Sequence, residues 1–242
     1  MAICILLRHG RTEANATGLL AGWTSGIGLD ETGRNQAARV AERLRDTGIV
    51  RVVTSPLQRC RETSAEVLHA IPGLVAEVED RLGEARYGAW TGRPLRELAE
   101  EPLWRQVQDE PSSVTFPEHA DFEHESMSGM ASRAVAAIRD WDARVESEHG
   151  PGAIWVAVSH GDVIKAILAN AVATPLDDFQ RIVVDPASVS IVHHTPQRPF
   201  LLRSNDTGSD PIDLSGLVQR IATTPLGDAD VGGGAGSVGA RS

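Results

Sequence analysis

The sequence predicts an α/β protein, a three-layer α/β/α sandwich around a mostly parallel central sheet. Short apolar runs alternate along the chain with longer segments of helical periodicity, which is the pattern of strands connected by helices. Several of the runs are almost wholly apolar, as is typical of strands covered by helices on both faces. Ligands of such sheets bind at the carboxyl ends of the strands, so the residues that follow each run are candidates for a site.

The apolar runs give the predicted strands. Four strands are expected at residues 2–7, 50–54, 74–78 and 153–159, and a pair of edge strands at residues 188–193 and 200–204. The run at residues 153–159 is the clearest buried strand, because it is apolar along nearly its whole length. Residues 10–29 contain glycines and mixed polarity, and they are interpreted as a loop.

Helical spacing and capping residues give the predicted helices, at residues 30–48, 56–69, 94–108, 126–148 and 162–173. Asp30 or Thr32 can cap the first helix. Ser55 is expected to cap the second, with Pro56 at its first helical position. Residues 110–125 are acidic and are expected to be irregular.

The chain is interpreted as a single domain over residues 1–226, with an acidic lid inserted at residues 92–126. Residues 227–242 are rich in glycine and are predicted to form a flexible tail. The length of 242 residues lies within the range of one α/β domain.

The composition of the chain limits the kinds of molecule that it is expected to bind and the cellular compartment in which it is expected to occur. The net charge of −10 argues against binding to nucleic acid or to anionic membranes. No segment approaches the roughly 20 apolar residues of a membrane span, and the apolar start of the chain is too short for a signal peptide. Two cysteines cannot form a disulfide framework. We therefore expect a cytoplasmic protein.

Charged and titratable residues follow the predicted strands at four places. They are Arg8, His9 and Gly10, then Arg59, then Glu84, and finally His160 and Gly161. Two arginines offer planar forks that match the oxygens of a phosphate group. A glycine directly after each histidine lets backbone N–H groups approach a ligand. Together these residue types predict a phosphate-binding site.

The same residues predict phosphoryl chemistry. Neighbouring arginines should lower the pKa of each histidine, and a neutral imidazole is a nucleophile. From the residues alone, either His9 or His160 could attack, while the other would contact the transferring group. Glu84 is the candidate general acid, which requires a raised pKa.

Several segments resemble the motifs of one family. Residues 7–15, Leu-Arg-His-Gly-Arg-Thr-Glu-Ala-Asn, resemble the signature of the histidine phosphatase superfamily, branch 1, the phosphoglycerate-mutase-like enzymes. Residues 55–63, 84–92, 125–126 and 159–161 are similar to its further motifs, in the same order. The resemblance extends over about residues 3–192, most of the chain. It implies a phosphoglycerate-mutase-like fold.

The resemblance also implies roles for the site residues. It makes His9 the nucleophile and Glu84 the proton donor, with Arg8, Arg59 and His160 around the phosphoryl group. Attack by His9 would give a phosphohistidine, which water would then hydrolyse with Glu84 as base. The expected substrate-binding residues are Arg8, Asn15, Arg59, Tyr87 and Gly161. No metal and no organic cofactor are implied, and the partners would be a phosphorylated small molecule and, by family habit, a second copy in a homodimer.

Two other functions remain as alternatives. Cofactor-dependent mutases of this family carry a basic cluster after the acid segment, whereas residues 97–125 hold nine acidic residues and one basic residue, Arg105. An acidic lid should disfavour a polyanionic substrate, which favours a phosphatase over a phosphoglycerate mutase or a related phosphomutase. The second alternative is an inactive protein that binds a phosphorylated ligand. It is disfavoured because every residue needed for the chemistry is present.

Four further residues have competing interpretations. Arg11 could contact an anionic substrate or be a solvated surface residue. His193 and His194 are adjacent on a strand and should point to opposite faces, which makes a poor metal site. Cys60 is interpreted as a packing residue rather than a reactive thiol.

Overall fold

A computed structural model of the chain describes residues 1–208, 211 and 212. The predicted tail at residues 227–242 lies outside these described residues. The elements in chain order are β1 (Ile3–Arg8), α1 (Glu13–Thr17), α2 (Glu31–Leu44), β2 (Ile49–Thr54), α3 (Gln58–Ala70), β3 (Ala76–Val78), α4 (Leu95–Leu98), α5 (Pro102–Asp109), α6 (Met127–His149), β4 (Ile154–Ser159), α7 (Gly161–Ala171), β5 (Val189–His194) and β6 (Pro199–Asp206). None of the described helices is long and apolar enough to cross a membrane.

The six strands form one sheet in the order β3-β2-β4-β1-β5-β6. Strands β3, β2, β4 and β1 are mutually parallel, whereas β5 and β6 are antiparallel to their neighbours. Helices cover both faces, and the predicted three-layer α/β/α sandwich with a mostly parallel sheet is confirmed.

Alternating side chains of the central strands supply two apolar cores. On β1, Ile3, Ile5 and Leu7 pack with residues of α2 and α3, while Cys4 and Leu6 pack with α6 and α7. Because successive side chains of a strand point to opposite faces, a strand buried on both sides must be apolar throughout. This requirement explains the continuous apolar runs of β1 and β4, which are the two central parallel strands.

The register of the parallel strands determines where the polar clusters lie. Arg8 at the end of β1 pairs with Ser159 at the end of β4, and Thr54 at the end of β2 pairs with Val158. The backbone N–H of His9 continues the ladder by donating to the carbonyl of Ser159 at 3.0 Å. The carboxyl ends of β1, β2 and β4 therefore meet at one edge of the sheet.

Two boundaries near this edge differ from the prediction. The segment interpreted as a loop contains α1, a helix of five residues whose N-cap is Thr12 in a capping box with Asn15. It is too short to show an apolar stripe, and its capping box ends in asparagine rather than glutamate or glutamine. Helix α3 begins at Gln58, so Ser55 is not its cap. Leu57 occupies the N-cap position and makes no side-chain hydrogen bond.

The remaining differences concern the lid and the last strands. The helix predicted at residues 94–108 is two helices, α4 and α5, because Pro102 starts a new helix. The acidic segment is partly ordered, with a 3-10 turn at Pro111–Ser113 and a bridge between Tyr87 and His124. Strands β5 and β6 pair as predicted. Of these two strands, only β6 is an edge strand, because β5 is buried between β1 and β6.

A close contact between two glycines fixes the loop after β1 against α2. A Cβ atom on Gly33 would lie 1.9 Å from the carbonyl oxygen of Arg11, and one on Gly10 would lie 2.4 Å from the carbonyl oxygen of Gly33. Neither obstacle is a movable side chain. The first turn of α2 can therefore touch the loop that follows His9 only if both residues lack a side chain.

We predict that Gly33→Ala destabilises the protein by about 1–3 kcal/mol, because the added methyl group overpacks this contact. Urea unfolding measures the change. Gly129→Ala is a matched control, since Gly129 also lies three residues after a capping side chain and meets only the Ser126 hydroxyl, at 3.0 Å. We expect that control to stay within about 1 kcal/mol of wild type. Equal stability of the two variants would contradict the packing argument.

Candidate active site

A pocket of about 180 Å³ opens at the carboxyl edge of the sheet. Its lining residues come from the end of β1, the starts of α3, α4 and α7, and the segments around α1 and Glu84. They are Arg8, His9, Thr12, Asn15, Leu19, Leu20, Ala21, Gly22, Arg59, Glu84, Tyr87, Leu95, Gly161 and Asp162. His160 borders this set, with its ring centroid 5.3 Å from that of His9.

The imidazole of His9 is held in one orientation and one tautomer. Its Nδ1 lies 2.7 Å from the carbonyl oxygen of Gly10. A carbonyl can only accept, so Nδ1 carries the proton and Nε2 keeps its lone pair in the neutral ring. Burial lowers the pKa of His9 well below its usual value, and the positive charges of Arg59 and Arg8 lower it further. The ring is therefore neutral near pH 7 and suited to nucleophilic attack.

Two guanidinium groups lie beside His9. Arg59 is 2% exposed, and its Nη2 donates to the carbonyl of Gly22 at 3.0 Å. Arg8 donates from Nη1 to the carbonyl of Val184 at 2.6 Å, while its buried Nε has no protein partner among the described residues. Both groups line the pocket, where their remaining N–H groups suit the oxygens of a phosphoryl group.

His160 is fully buried beneath the pocket and is positioned by Ser55. The Ser55 hydroxyl lies 2.8 Å from Nε2 of His160 and also accepts the N–H of Leu57 at 3.3 Å. These two contacts fix the Ser55 hydroxyl and hold the Nε2 side of the imidazole ring. Burial and the charge of Arg59 lower the pKa of His160. Its Nδ1 lies 3.7 Å from the Glu84 carboxylate.

Glu84 is held at the pocket by its own backbone. The Arg133 guanidinium and the Trp23 indole donate to the Glu84 carbonyl, at 3.0 and 2.8 Å. The N–H of Ala85 donates to one carboxylate oxygen at 3.0 Å. Burial raises the pKa of Glu84, and the negative charge of Asp162 raises it further. A raised pKa is what a proton donor to a leaving alkoxide requires.

The predicted substrate-binding residues are all at the pocket. Asn15 lines it while its side-chain oxygen accepts from the backbone N–H of Thr12 at 3.1 Å. Tyr87 lines it and donates from its hydroxyl to Asp162 at 3.0 Å. Gly161 begins α7, and a Cβ atom there would lie 3.5 Å from the Arg8 guanidinium. The site residues predicted from the sequence are thus brought together at one pocket.

Three residues contribute to the site although the sequence alone does not predict that they do. Ser55 was interpreted as a helix cap, although its hydroxyl contacts His160. Asp162 directly follows the histidine and glycine of the last motif, a proximity that could have drawn attention to it. Arg133, on α6, binds both Glu125 and the backbone around Glu84, and nothing in the local sequence marks it.

Of the other candidates, Arg11 and His194 lie outside the pocket lining, whereas Cys60 packs beneath the site with its Sγ 3.4 Å from Nε2 of His160. Arg11 forms an ion pair with Asp30, at 2.7 Å, and does not line the pocket. Cys60 is buried with its pKa raised to about 12, mainly by burial, so it is a protonated packing group. His194 is buried with Nδ1 2.6 Å from the Asp142 carboxylate. No group of three or more metal-ligating side chains occurs in the part of the chain that the structure describes.

The family model for the histidine phosphatase superfamily (branch 1) matches residues 4–207. The chain belongs to this superfamily. The match spans every strand of the sheet and all the pocket residues, and it confirms the resemblance found in the motifs.

Relatives in the superfamily have differing activities. The chain is 33% identical over 198 residues to a probable phosphoglycerate mutase of Erwinia tasmaniensis, covering 81% of this chain and 86% of that protein. It is 28% identical over 208 residues to phosphoserine phosphatase 1 of Hydrogenobacter thermophilus, covering 86% and 93%. A solved mycobacterial glucosyl-3-phosphoglycerate phosphatase in complex with VO3 superimposes with a TM-score of 0.72 at 27% identity, covering 84% of this chain and 98% of that chain.

We predict that Ser55→Ala lowers kcat about tenfold, because one hydrogen bond that orients His160 is worth about 0.5–1.5 kcal/mol. Steady-state hydrolysis of p-nitrophenyl phosphate measures the change. Ser55→Thr keeps the hydroxyl and should recover most of the rate. Ser64→Ala is the matched control, since that buried hydroxyl donates to the Arg61 carbonyl, away from the pocket. A Ser55→Ala enzyme that equals wild type would contradict the positioning role.

Proposed function

We propose that the protein is a metal-independent phosphatase that hydrolyses phosphomonoesters through a phosphohistidine on His9. The observation that carries the proposal is the hydrogen bond from His9 Nδ1 to the Gly10 carbonyl, which leaves Nε2 as a nucleophile beside Arg8 and Arg59. Family membership and the phosphatases among the relatives support a phosphoryl-transfer reaction.

In the first step, Arg8, Arg59 and His160 hold the phosphoryl oxygens while His9 attacks phosphorus in line with the ester oxygen. The P–N bond forms and the bond to the ester oxygen breaks. Glu84 gives its proton to that oxygen, so an alcohol leaves rather than an alkoxide. The two arginines stabilise the charge that spreads over the phosphoryl oxygens.

In the second step, a water molecule attacks the phosphohistidine. Glu84, now a carboxylate, takes a proton from that water as the P–N bond breaks. Inorganic phosphate leaves, and both His9 and the protonated Glu84 are regenerated. In the first step a P–O bond breaks and its oxygen gains a proton, whereas in the second step a P–O bond forms and its oxygen loses a proton. The same residue can therefore serve first as the acid and then as the base.

A phosphomutase is the second candidate function, and the similarity to a probable phosphoglycerate mutase favours it. A mutase needs cations for a second acidic group, and two of the three arginines of the lid, Arg93 and Arg105, are paired with carboxylates. Arg105 contacts Asp109 at 2.7 Å, and Arg93 contacts Glu101 at 2.5 Å. Interconversion of phosphoglycerates with and without 2,3-bisphosphoglycerate distinguishes the two, since a phosphatase releases phosphate and forms no isomer.

The small volume of the pocket suits a phosphorylated small molecule rather than a polymer. We propose that this substrate is met in the cytoplasm, in line with two free and buried cysteines. Neither claim depends on the identity of the alcohol that is released.

The test is hydrolysis of p-nitrophenyl phosphate in EDTA by wild type and by His9→Ala. We expect wild-type turnover to persist in the chelator and to be abolished by the substitution, because no other group would form the phosphoenzyme. Arg11→Ala is the control, since Arg11 lies next to the motif but outside the pocket. Turnover that survives in His9→Ala, or that EDTA abolishes, would contradict the proposal.

The pH dependence of kcat/KM in the same assay tests the protonation states. His9 must be neutral, so activity falls as pH drops through a pKa below the ordinary 6.5 of histidine. Glu84 must be protonated, so activity falls as pH rises through a pKa above the ordinary 4.5 of glutamate. We expect a bell-shaped profile whose descending limb disappears in Glu84→Gln. A descending limb that persists in that variant would exclude Glu84 as its source.

A further inference from the structure

Asp162 lies at the mouth of the pocket, next to the group that donates the proton. It is the second residue of α7 and lines the pocket with Glu84. Its side chain is 25% exposed, whereas Arg59 on the pocket floor is 2% exposed. The deep end of the pocket therefore suits the phosphoryl group, and the alcohol half of an ester would lie near Asp162.

The carboxylate of Asp162 is held in place. One oxygen accepts the hydroxyl of Tyr87 at 3.0 Å, and the other lies 3.7 Å from Nζ of Lys165. The ammonium of Lys165 also donates to the side chain of Gln180 at 2.9 Å. Asp162 is thus a fixed acceptor with lone pairs to spare, and a carboxylate offers about four such sites.

Positive charge at the pocket is concentrated at its deep end. Among the lining residues in the described part of the chain, the cations are Arg8 and Arg59. The phosphoryl group would engage both. Nearby cations outside the lining are paired with carboxylates, Arg93 with Glu101 and Arg86 with Glu123. Lys165, outside the lining and 3.7 Å from Asp162, is paired with Asp162 itself and also donates to Gln180. A second anionic group on the substrate would therefore meet the Asp162 carboxylate, and the cation nearest to that carboxylate is already engaged.

We propose that Asp162 is a specificity-determining residue, which selects phosphomonoesters whose alcohol half carries a hydroxyl or ammonium group near the ester oxygen and rejects those with a carboxylate there. This inference rests on the proposed phosphatase function and names its substrate class. A hydroxyl or ammonium donates to the Asp162 carboxylate, whereas a second carboxylate is repelled by it in a partly buried site.

Three small esters of similar size differ in the charge of the group on the alcohol half. They are O-phosphoethanolamine, 2-hydroxyethyl phosphate and 2-phosphoglycolate, which carry an ammonium, a hydroxyl and a carboxylate at the same place. Each ester is measured as a competitive inhibitor of p-nitrophenyl phosphate hydrolysis. An inhibition constant is obtained in this way whether or not the ester is itself hydrolysed. In wild type we expect the constant for 2-phosphoglycolate to be about tenfold or more above that for O-phosphoethanolamine.

The same ratio in variants assigns the effect to one side chain. We expect Asp162→Asn to reduce the ratio to nearly one, and Asp162→Glu to keep a preference for the ammonium. A ratio of two constants on one protein cancels any general loss of activity. Asp178→Asn is the control, since Asp178 pairs with Arg181 outside the pocket.

Equal constants for the three esters in wild type would overturn the inference, and so would a ratio that Asp162→Asn leaves unchanged. Failure of the proposed function has a different signature, because p-nitrophenyl phosphate itself would then not be hydrolysed. In that case calorimetric binding of the same three esters to wild type and Asp162→Asn decides the inference by the same ratio.

Discussion

The parallel pairing of β1 with β4, extended by β2, is the constraint on which the site depends. It aligns Arg8 with Ser159, so His9 and His160 leave the sheet side by side, with ring centroids 5.3 Å apart. Helix α3 starts just beyond β2 and brings Arg59 to the same edge. Shifting the register by one residue would exchange the side chains that β1 sends into the two cores and would move Arg8 out of line with Ser159. The core therefore holds the catalytic geometry in place.

Burial of this edge determines its electrostatics. Two arginines and two histidines share a space in which Glu84 is the nearest carboxylate to Arg59, 3.9 Å away. Both histidines have lowered pKa values in that environment, while the pKa of Glu84 is raised. The site is left with two arginine charges that attract an anion and with two histidines whose neutral forms are favoured. Asp162 adds a negative charge to the lining of the same pocket.

Much of the fold and the pocket could be predicted because the signals are local. Apolar runs mark buried strands, and the polar residues that follow them mark the edge of the sheet. The failures have physical reasons. Ser55 and Pro56 match the pattern of a helix start, but the Ser55 hydroxyl is bound to His160, which lies more than 100 residues away in the sequence. The contact of Arg133 with the Glu84 carbonyl joins residues that are 49 positions apart. Tertiary partners of this kind leave no local pattern.

The central claim is a covalent bond between phosphorus and His9, and trapping that bond tests it most directly. The enzyme is mixed with p-nitrophenyl phosphate, quenched within milliseconds in alkali to preserve an acid-labile phosphohistidine, digested, and mapped by mass spectrometry. The account predicts phosphate on the peptide that contains His9, and none on any peptide of His9→Ala. Phosphate on His160 or on another residue would contradict it, as would inversion at phosphorus in the hydrolysis of an isotopically chiral phosphorothioate ester, the mark of a single displacement.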